Sequence, residues 1–412
     1  MDPIVLYNNN NPDNTRQLIL GNTPIEDKLH VIAVISNPCN YKIRYKLARQ
    51  FFNRMDQEQD VILYIVELVY GDQEFAVTTK GNKRHLQLRG ETPLWHKENM
   101  INLGVKHLLP SDWKAFAWVD ADIEFDNPYW ATYALRVLNE NEGKDFIQLF
   151  TNVYDMDNDK QILNFYTGFG YQFSKNFKKG KEINYWHPGF AWACTRTAYE
   201  QIGGLLDEGI LGSGDNIMCH SFIKQAPERL KKGMTTEYMD FVRTKQTKFE
   251  GLKLGYIPGS IRHYFHGKKE NRNYYGREDI LIRHKYDPKI FITRDAKGLI
   301  IPTKECPPEF LKDIMDYFED RNEDEDIPDL NDTADNLTNP MNKVNLLLPT
   351  TKPIPKPIPK PVQNIVTKTV VKPVPKPVNL VPEFKPITPP VTKAQVYKRQ
   401  DPASQFKRLS FF

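Results

Sequence analysis

Residues 117–125 read Ala117-Trp118-Val119-Asp120-Ala121-Asp122-Ile123-Glu124-Phe125. An apolar strand that begins at Ala115 runs into two carboxylates spaced by one residue, and apolar sequence resumes at once. In open α/β sheets, ligands sit just beyond the carboxyl ends of strands. A DxD pair there can hold a hard divalent cation through oxygen, and the cation can bridge two phosphates of a nucleotide. The plainer alternative is an acidic, solvated turn.

Working outward, Leu29 to Ser36 (LHVIAVIS) is a short β-branched apolar run and reads as a buried strand. Residues 41–55 place Ile43, Leu47, Phe51 and Met55 at i+4 steps, one apolar face of a helix. Asp60 to Val69 (DVILYIVELV) is a second strand, and residues 95–108 return to helical spacing. Strand, helix, strand, helix, strand predicts an α/β fold with a mostly parallel central sheet and flanking helices. Further helices are expected at 129–140, 196–203 and 215–225, with a glycine-rich loop at 204–214.

Charge and proline are unevenly placed. The 412 residues carry 56 Lys+Arg and 52 Asp+Glu, formally +4. Residues 351–412 hold 12 basic and 2 acidic groups, leaving 44 and 50 in the first 350, so the body is mildly acidic. That disfavours a nucleic-acid binder. Of 30 prolines, 19 lie at or after Pro302, in runs such as KPIPKPIPKP (352–361) that favour extended polyproline II. The expected organisation is an irregular lead-in at 1–28, a folded domain at 29–315, and a disordered tail at 320–412, first acidic, then Pro/Lys-rich. The tail is either a solubilising spacer or a ligand for an SH3-like or acidic partner. Four scattered cysteines argue against a disulfide framework, and neither a signal peptide nor a membrane span is legible. The reading is soluble and cytoplasmic.

Two other constellations could carry chemistry. Ile261-Arg262-His263-Tyr264-Phe265-His266-Gly267 holds two histidines at i, i+3, able to face one way on a helical turn. Imidazole suits Mn²⁺ and other transition ions; with Arg262, Lys268 and Lys269 the segment reads equally as a basic phosphate-binding loop. Gly212-Ser213-Gly214-Asp215-Asn216 delivers an Asp into the start of a helix, as an N-cap or as a general base beside a hydroxyl. Asp155, Asp157 and Asp159 imitate the start of a calcium loop, but Lys160 takes the required Gly position and Tyr166 the Glu position, so this reads as a polar loop.

Taken in order, these pieces resemble a GT-A nucleotide-sugar glycosyltransferase, nearest the β-1,4-galactosyltransferase family and more distantly the polypeptide GalNAc-transferases. The resemblance covers about residues 30–285. Pro38, Lys42 and Arg44 fall in the region of the family's PFRNR donor loop. The FNRAKLLNVG helix is matched by Trp95 to Gly104, with Lys97 on the Arg that faces the donor phosphates. The DVD motif is matched by Asp120-Ala121-Asp122, and YFGGVSAL by His187-Pro188-Gly189-Phe190-Ala191-Trp192-Ala193. INGF…GWGGEDDD is similar to Ile202-Gly203-Gly204-Leu205…Gly212-Ser213-Gly214-Asp215, and MIRH to Ser260-Ile261-Arg262-His263. Leu211 stands for the acceptor-loop Trp, Ser260 for the Met ligand, and Asp215 alone for the acidic run. The chain is also similar to transferase-like proteins of large DNA viruses, which implies infected-cell cytoplasm or a virion.

The resemblance implies a metal-dependent hexosyltransferase that moves sugar from a UDP-sugar to a glycan, protein or lipid hydroxyl with inversion. Asp120, Asp122, His263 and His266 would hold Mn²⁺ (or Mg²⁺), and Asp215 would be the base. Pro38, Arg44, Glu67, Lys97, Asp120 and Asp122 would bind the donor, with His187, Gly189, Gly214 and Asp215 at the acceptor. Glu67, read as the end of the second strand, would take the base or ribose, or simply be solvated. The rival classes are a non-catalytic nucleotide or glycan binder and a metal-dependent phosphohydrolase.

Overall fold

The chain is described by a computed structural model over residues 12–21, 23–139, 143–176, 186–274 and 276–325. The strands of the two larger sheets are β1 (Leu29–Ser36), β2 (Val61–Tyr70), β3 (His85–Gly90), β4 (Ala115–Val119), β5 (Ile123–Phe125), β6 (Phe146–Gln148), β7 (Asn152–Met156), β8 (Ile162–Gly168), β9 (Trp186–His187), β10 (Ala191–Thr195), β11 (Leu254–Tyr256) and β12 (Ser260–His263). Seven of them form a central sheet in the order β11-β6-β10-β4-β1-β2-β3. β3, β2, β1 and β4 run parallel, as do β11 and β6, and only β10 is antiparallel to its neighbours. The mostly parallel α/β sheet expected from the strand–helix alternation is therefore present.

Helices α1 (Pro12–Leu20), α2 (Lys42–Met55), α3 (Lys97–Leu108), α4 (Trp130–Val137), α5 (Phe169–Ser174), α6 (Arg196–Ile202) and α7 (Gly214–Phe222) follow. Successive strand residues point to opposite faces, and the two faces build separate cores. Val31, Ala33 and Ile35 of β1 join Leu63 and Ile65 of β2 and Ala117 of β4 against Phe51, Phe52 and Met55 of α2. Ile32, Val66, Phe116 and Trp118 join Met100, Ile101 and Leu103 of α3 on the other side. Both faces are covered, which is why these strands read as continuous apolar runs.

A second sheet, β5-β12-β7-β8-β9, starts where the first ends. β4 stops at Val119, the chain turns through Asp120-Ala121-Asp122, and β5 begins at Ile123. The DxD turn is thus the hinge between two sheets, held by the Asp120 N–H on the Phe190 carbonyl (2.8 Å).

Both ends of the folded body extend beyond the sequence reading. The lead-in at 1–28 contains helix α1, which buries Thr15, Ile19 and Leu20. At the other end, helix Pro308–Asp320 buries Phe310, Ile314, Tyr317 and Phe318. Arg321 and Glu323 that follow are also buried, so the fold runs past 320. The rest of the expected disordered tail, 326–412, lies outside the described residues. No helix among the described residues is long and apolar enough to cross a membrane.

Candidate active site

Strand register assembles the first half of the site. β12 pairs antiparallel with β5, His263 opposite Ile123, and parallel with β7, His263 opposite Asp155. His263 therefore lies between Asp122 and Asp155. Its Nδ1 meets Asp155 Oδ1 at 2.7 Å, and its Nε2 stands 3.9 Å from Asp122 Oδ2. His266 lies in the loop after β12 rather than on a shared helical turn with His263. Its Nδ1 donates to the Tyr264 carbonyl (3.0 Å) and its Nε2 reaches Asp122 Oδ2 at 3.4 Å.

The protonation pattern suits a cation. Burial drives His266 down to about 3, so its ring is neutral; its Nε2 lone pair accepts from Arg272 Nη2 at 2.8 Å, a bond that a cation on this nitrogen would displace. A carboxylate only accepts, so His263 Nδ1 carries the proton and leaves Nε2 free to ligate. Burial opposes the charge on Asp122, but nearby positive charge, Arg272 and Lys97 included, holds its carboxyl below the usual range. Asp122 Oδ1 is buried without a hydrogen-bond partner among the described residues. Asp122, His263 and His266 offer ligand atoms within 4.8 Å of one another, and an N/N/O donor set fits Mn²⁺. Asp155 orients His263 from behind, as carboxylates do at metal-bound imidazoles.

The second half converges on Lys97. This residue opens α3, where a half-buried cation at the positive helix end is doubly unfavourable. Two carboxylates compensate: Lys97 Nζ lies 2.7 Å from Asp120 Oδ1 and 3.0 Å from Asp215 Oδ2. Burial alone would lower the Lys97 amine, yet Asp120 and Asp215 raise it well above its ordinary value. Asp120 thus faces Lys97 and is not one of the three grouped ligands. Asp215 sits in the first turn of α7, where a negative charge is favoured. The residue before Gly214, Ser213, has φ +73°, a left-handed conformation uncommon for a non-glycine. A Cβ on Gly189 would come 3.3 Å from Asp215 Oδ2, so Gly189 lies against that carboxylate. His187 accepts from the Gly189 N–H (3.1 Å) and stacks on Phe190, and burial pushes it down to about 3, so it is neutral.

Glu98, unremarked in the sequence, is buried beneath this pair. A Cβ on Gly214 would lie 2.2 Å from Glu98 Oε1, so only glycine fits there. Burial, then the Asp215 charge, pushes the Glu98 carboxyl up to about 8. A folded pKa above the unfolded one means the native state binds the extra proton, so stability falls as pH rises from about 4.5 to about 8. Replacing Glu98 with Gln is expected to make the fall of melting temperature across that window shallower, the remainder belonging to Asp120 and Glu208, while the wild type loses on the order of a few kcal/mol. A wild-type melting curve flat in pH would remove this account of Glu98.

The donor-side residues expected at the first two strands are not brought to this centre by any contact among the described residues. Glu67 lies within β2, not at its end, and is 1% exposed. Its carboxylate accepts the backbone N–H groups of Ala76, Val77 and Thr78 and the Thr78 hydroxyl, so it is neither solvated nor open. Arg44 is forked onto Glu323 (2.5 and 2.7 Å) and reaches the Ser36 carbonyl. Pro38, in the loop after β1, gives its carbonyl to Gln73. Sequence reading missed Asp155, Glu98, Arg272 and Glu323. The register of β7 on β12 is the only signal that brings Asp155 forward, and it exists only in the fold.

No protein-family model matches the sequence, and no curated protein matches it. Among solved structures the chain is similar to the catalytic domain of Drosophila β1,4-galactosyltransferase 7 in complex with xylobiose: 11% identity, 70% of this chain and 99% of that one, TM-score 0.31. It is also similar to the mannosyltransferase PcManGT from Pyrobaculum calidifontis in complex with GDP-Man and Mn²⁺: 14% identity, 72% and 70% covered, TM-score 0.33. A third is a glycosyltransferase involved in glycosylating the major capsid of PBCV-1, at 9% identity, 61% and 97% covered, TM-score 0.25.

Proposed function

We propose that this chain is a metal-dependent glycosyltransferase of the GT-A type, moving a hexose from a nucleotide sugar, with UDP-sugars first, to an acceptor hydroxyl. The observation that supports this most is the meeting of Asp122, His263 and His266 at the DxD hinge, with Lys97 and Asp215 alongside. Asp122 and the two Nε2 atoms would hold Mn²⁺ or Mg²⁺, which when bound supplies positive charge to the departing nucleoside diphosphate. Lys97 uses two of its three ammonium protons on Asp120 and Asp215 and has the third for a phosphate oxygen. Asp215 takes the proton of the acceptor hydroxyl as its oxygen bonds to the anomeric carbon and the diphosphate leaves. Attack from the face opposite the leaving group gives inversion. Gly189 and Gly214 keep bulk away from Asp215, and His187 packs beside Gly189.

The test is a screen of common nucleotide sugars with purified protein, with Mn²⁺ and with chelator. Release of nucleoside diphosphate that disappears with chelator supports the reading. Binding without any consumption would make the chain a non-catalytic nucleotide or glycan binder. Phosphate release from simple esters would make it a phosphohydrolase.

A further inference from the structure

The wall beneath Asp215 holds a carboxyl to which the reaction above gives no role. Glu98 follows Lys97 in the first turn of α3 and is 5% exposed. Its Oε1 lies against the Gly214 backbone, one residue before Asp215, where a Cβ would be 2.2 Å away. Glu98, Asp215, Ser221 and Lys245 line one cavity of about 20 Å³, and the rest of its wall is apolar. Three of these four polar groups are committed elsewhere. Asp215 meets Lys97 at 3.0 Å, the Ser221 hydroxyl donates to the Ile217 carbonyl (2.8 Å), and the Lys245 amine donates to the Gly204 carbonyl. The Glu98 carboxyl alone has no ion pair and no hydrogen bond to another residue among the described residues.

Counting charges decides which form it takes. Three carboxyls, Asp120, Asp215 and Glu98, converge on the one ammonium of Lys97, which already reaches Asp120 at 2.7 Å and Asp215 at 3.0 Å. Carboxyls crowded into one buried place do not all ionise, and the one without a partner keeps its proton. Burial, then the Asp215 charge, raises the Glu98 carboxyl to about 8, against the pull of Lys97 and of the helix start. The other titratable groups facing it are Asp120, the Lys245 amine, which burial lowers to about 8, and the Tyr238 phenol, which burial pushes up. An ionised Glu98 would be a third anion drawing on the same Lys97 ammonium.

We propose that Glu98 is a positioning residue for the transfer: held as a neutral acid against Gly214, it leaves Asp215 as the anion of the pair and the third Lys97 proton free for a phosphate oxygen of the donor. The inference rests on the roles given to Lys97 and Asp215 above. No proton passes to or from Glu98 during turnover, and ionising it costs the contact between Lys97 and the donor. Turnover therefore falls as pH rises through the Glu98 carboxyl.

The test follows nucleoside diphosphate release against pH in the full-length protein, each profile scaled to its own value at pH 7. The wild type is expected to fall about tenfold by about pH 9, one unit above the Glu98 midpoint, and Glu98→Gln, which cannot ionise, to lose that limb. A purely structural role would change stability and leave the shape of the profile alone. Lys245→Gln separates the other group that titrates in this window: a limb that survives in Lys245→Gln supports the assignment, and one that survives in Glu98→Gln overturns it. Carboxyl resonances read the same group without turnover. Glu98 is expected to titrate at about pH 8 in the wild type and lower in Asp215→Asn, where one like charge is gone. Glu98 titrating as an ordinary carboxyl in the folded wild type overturns the inference, even where Gln unfolds the site. A chain that consumes no donor removes the function proposed above, whereas either Glu98 result removes the positioning role alone.

Discussion

Replacing Asp122 with alanine is expected to remove high-affinity Mn²⁺ binding and, with it, all donor consumption. Asp122 is the one carboxylate among the three grouped ligands, and its Oδ1 has no other use among the described residues. The two remaining imidazoles are neutral donors and leave a divalent charge uncompensated in a buried site, which is strongly unfavourable. A loss of at least about a hundredfold in affinity is expected, since even residues one step behind a ligand are worth about 10–100-fold. Asp155→Asn supplies that milder comparison: it keeps His263 in place at 2.7 Å but replaces the anion that orients the ring. Free Mn²⁺ measured by electron paramagnetic resonance reads both variants without any assay of turnover. Unchanged Mn²⁺ affinity in Asp122→Ala would show that the cation, if one is used, sits elsewhere.

Much of this centre was legible in the chain because its parts are local. The apolar run into Asp120-Ala121-Asp122, the helix that opens at Lys97 and the loop that delivers Asp215 each announce themselves in a few consecutive residues. The unbroken apolar runs of β1, β2 and β4 likewise marked buried strands. What stayed hidden depends on distant pairing. Asp155 was judged against a calcium loop, where Lys160 and Tyr166 disqualify it, although its partner is His263 across a strand register. Glu323 sits in a stretch whose acidic composition resembles a solvated tail. It is fully buried and paired with Arg44 and Arg321, which hold its carboxyl well below the usual range against the push of burial. Its neighbour Asp324 accepts the N–H groups of Lys42 and Ile43 at the start of α2. Both contacts close a gap of about 280 residues, and no local pattern marks such a closure. Glu67 differs in the opposite sense: its expected place is a strand end, open to a base or ribose or to solvent, but three backbone N–H groups and a hydroxyl consume it inside β2.

Asp215→Asn is the sharper test of chemistry, because it changes one proton acceptor and almost no volume. The amide oxygen can still accept from Lys97, so the 3.0 Å contact and the position of α7 are expected to survive. A neutral amide does not take a proton from a hydroxyl, and loss of a general base costs roughly 10²–10⁴-fold in turnover. The proposed cation ligands Asp122, His263 and His266 are untouched, so Mn²⁺-dependent binding of UDP should persist, in contrast to Asp122→Ala. An internal control comes from Asp120, which burial pushes up to about 6, opposed by Lys97 and assisted by the charges of Asp122 and Asp215. Removing the Asp215 charge takes away one like-charged neighbour, so the Asp120 carboxyl should titrate at lower pH in the variant. That shift, followed by carboxyl resonances in an NMR titration, confirms that the substitution reached the cluster even if activity is lost. Turnover within a few-fold of wild type, with UDP binding intact and the Asp120 shift observed, would sink Asp215 as the base while leaving the cation site standing.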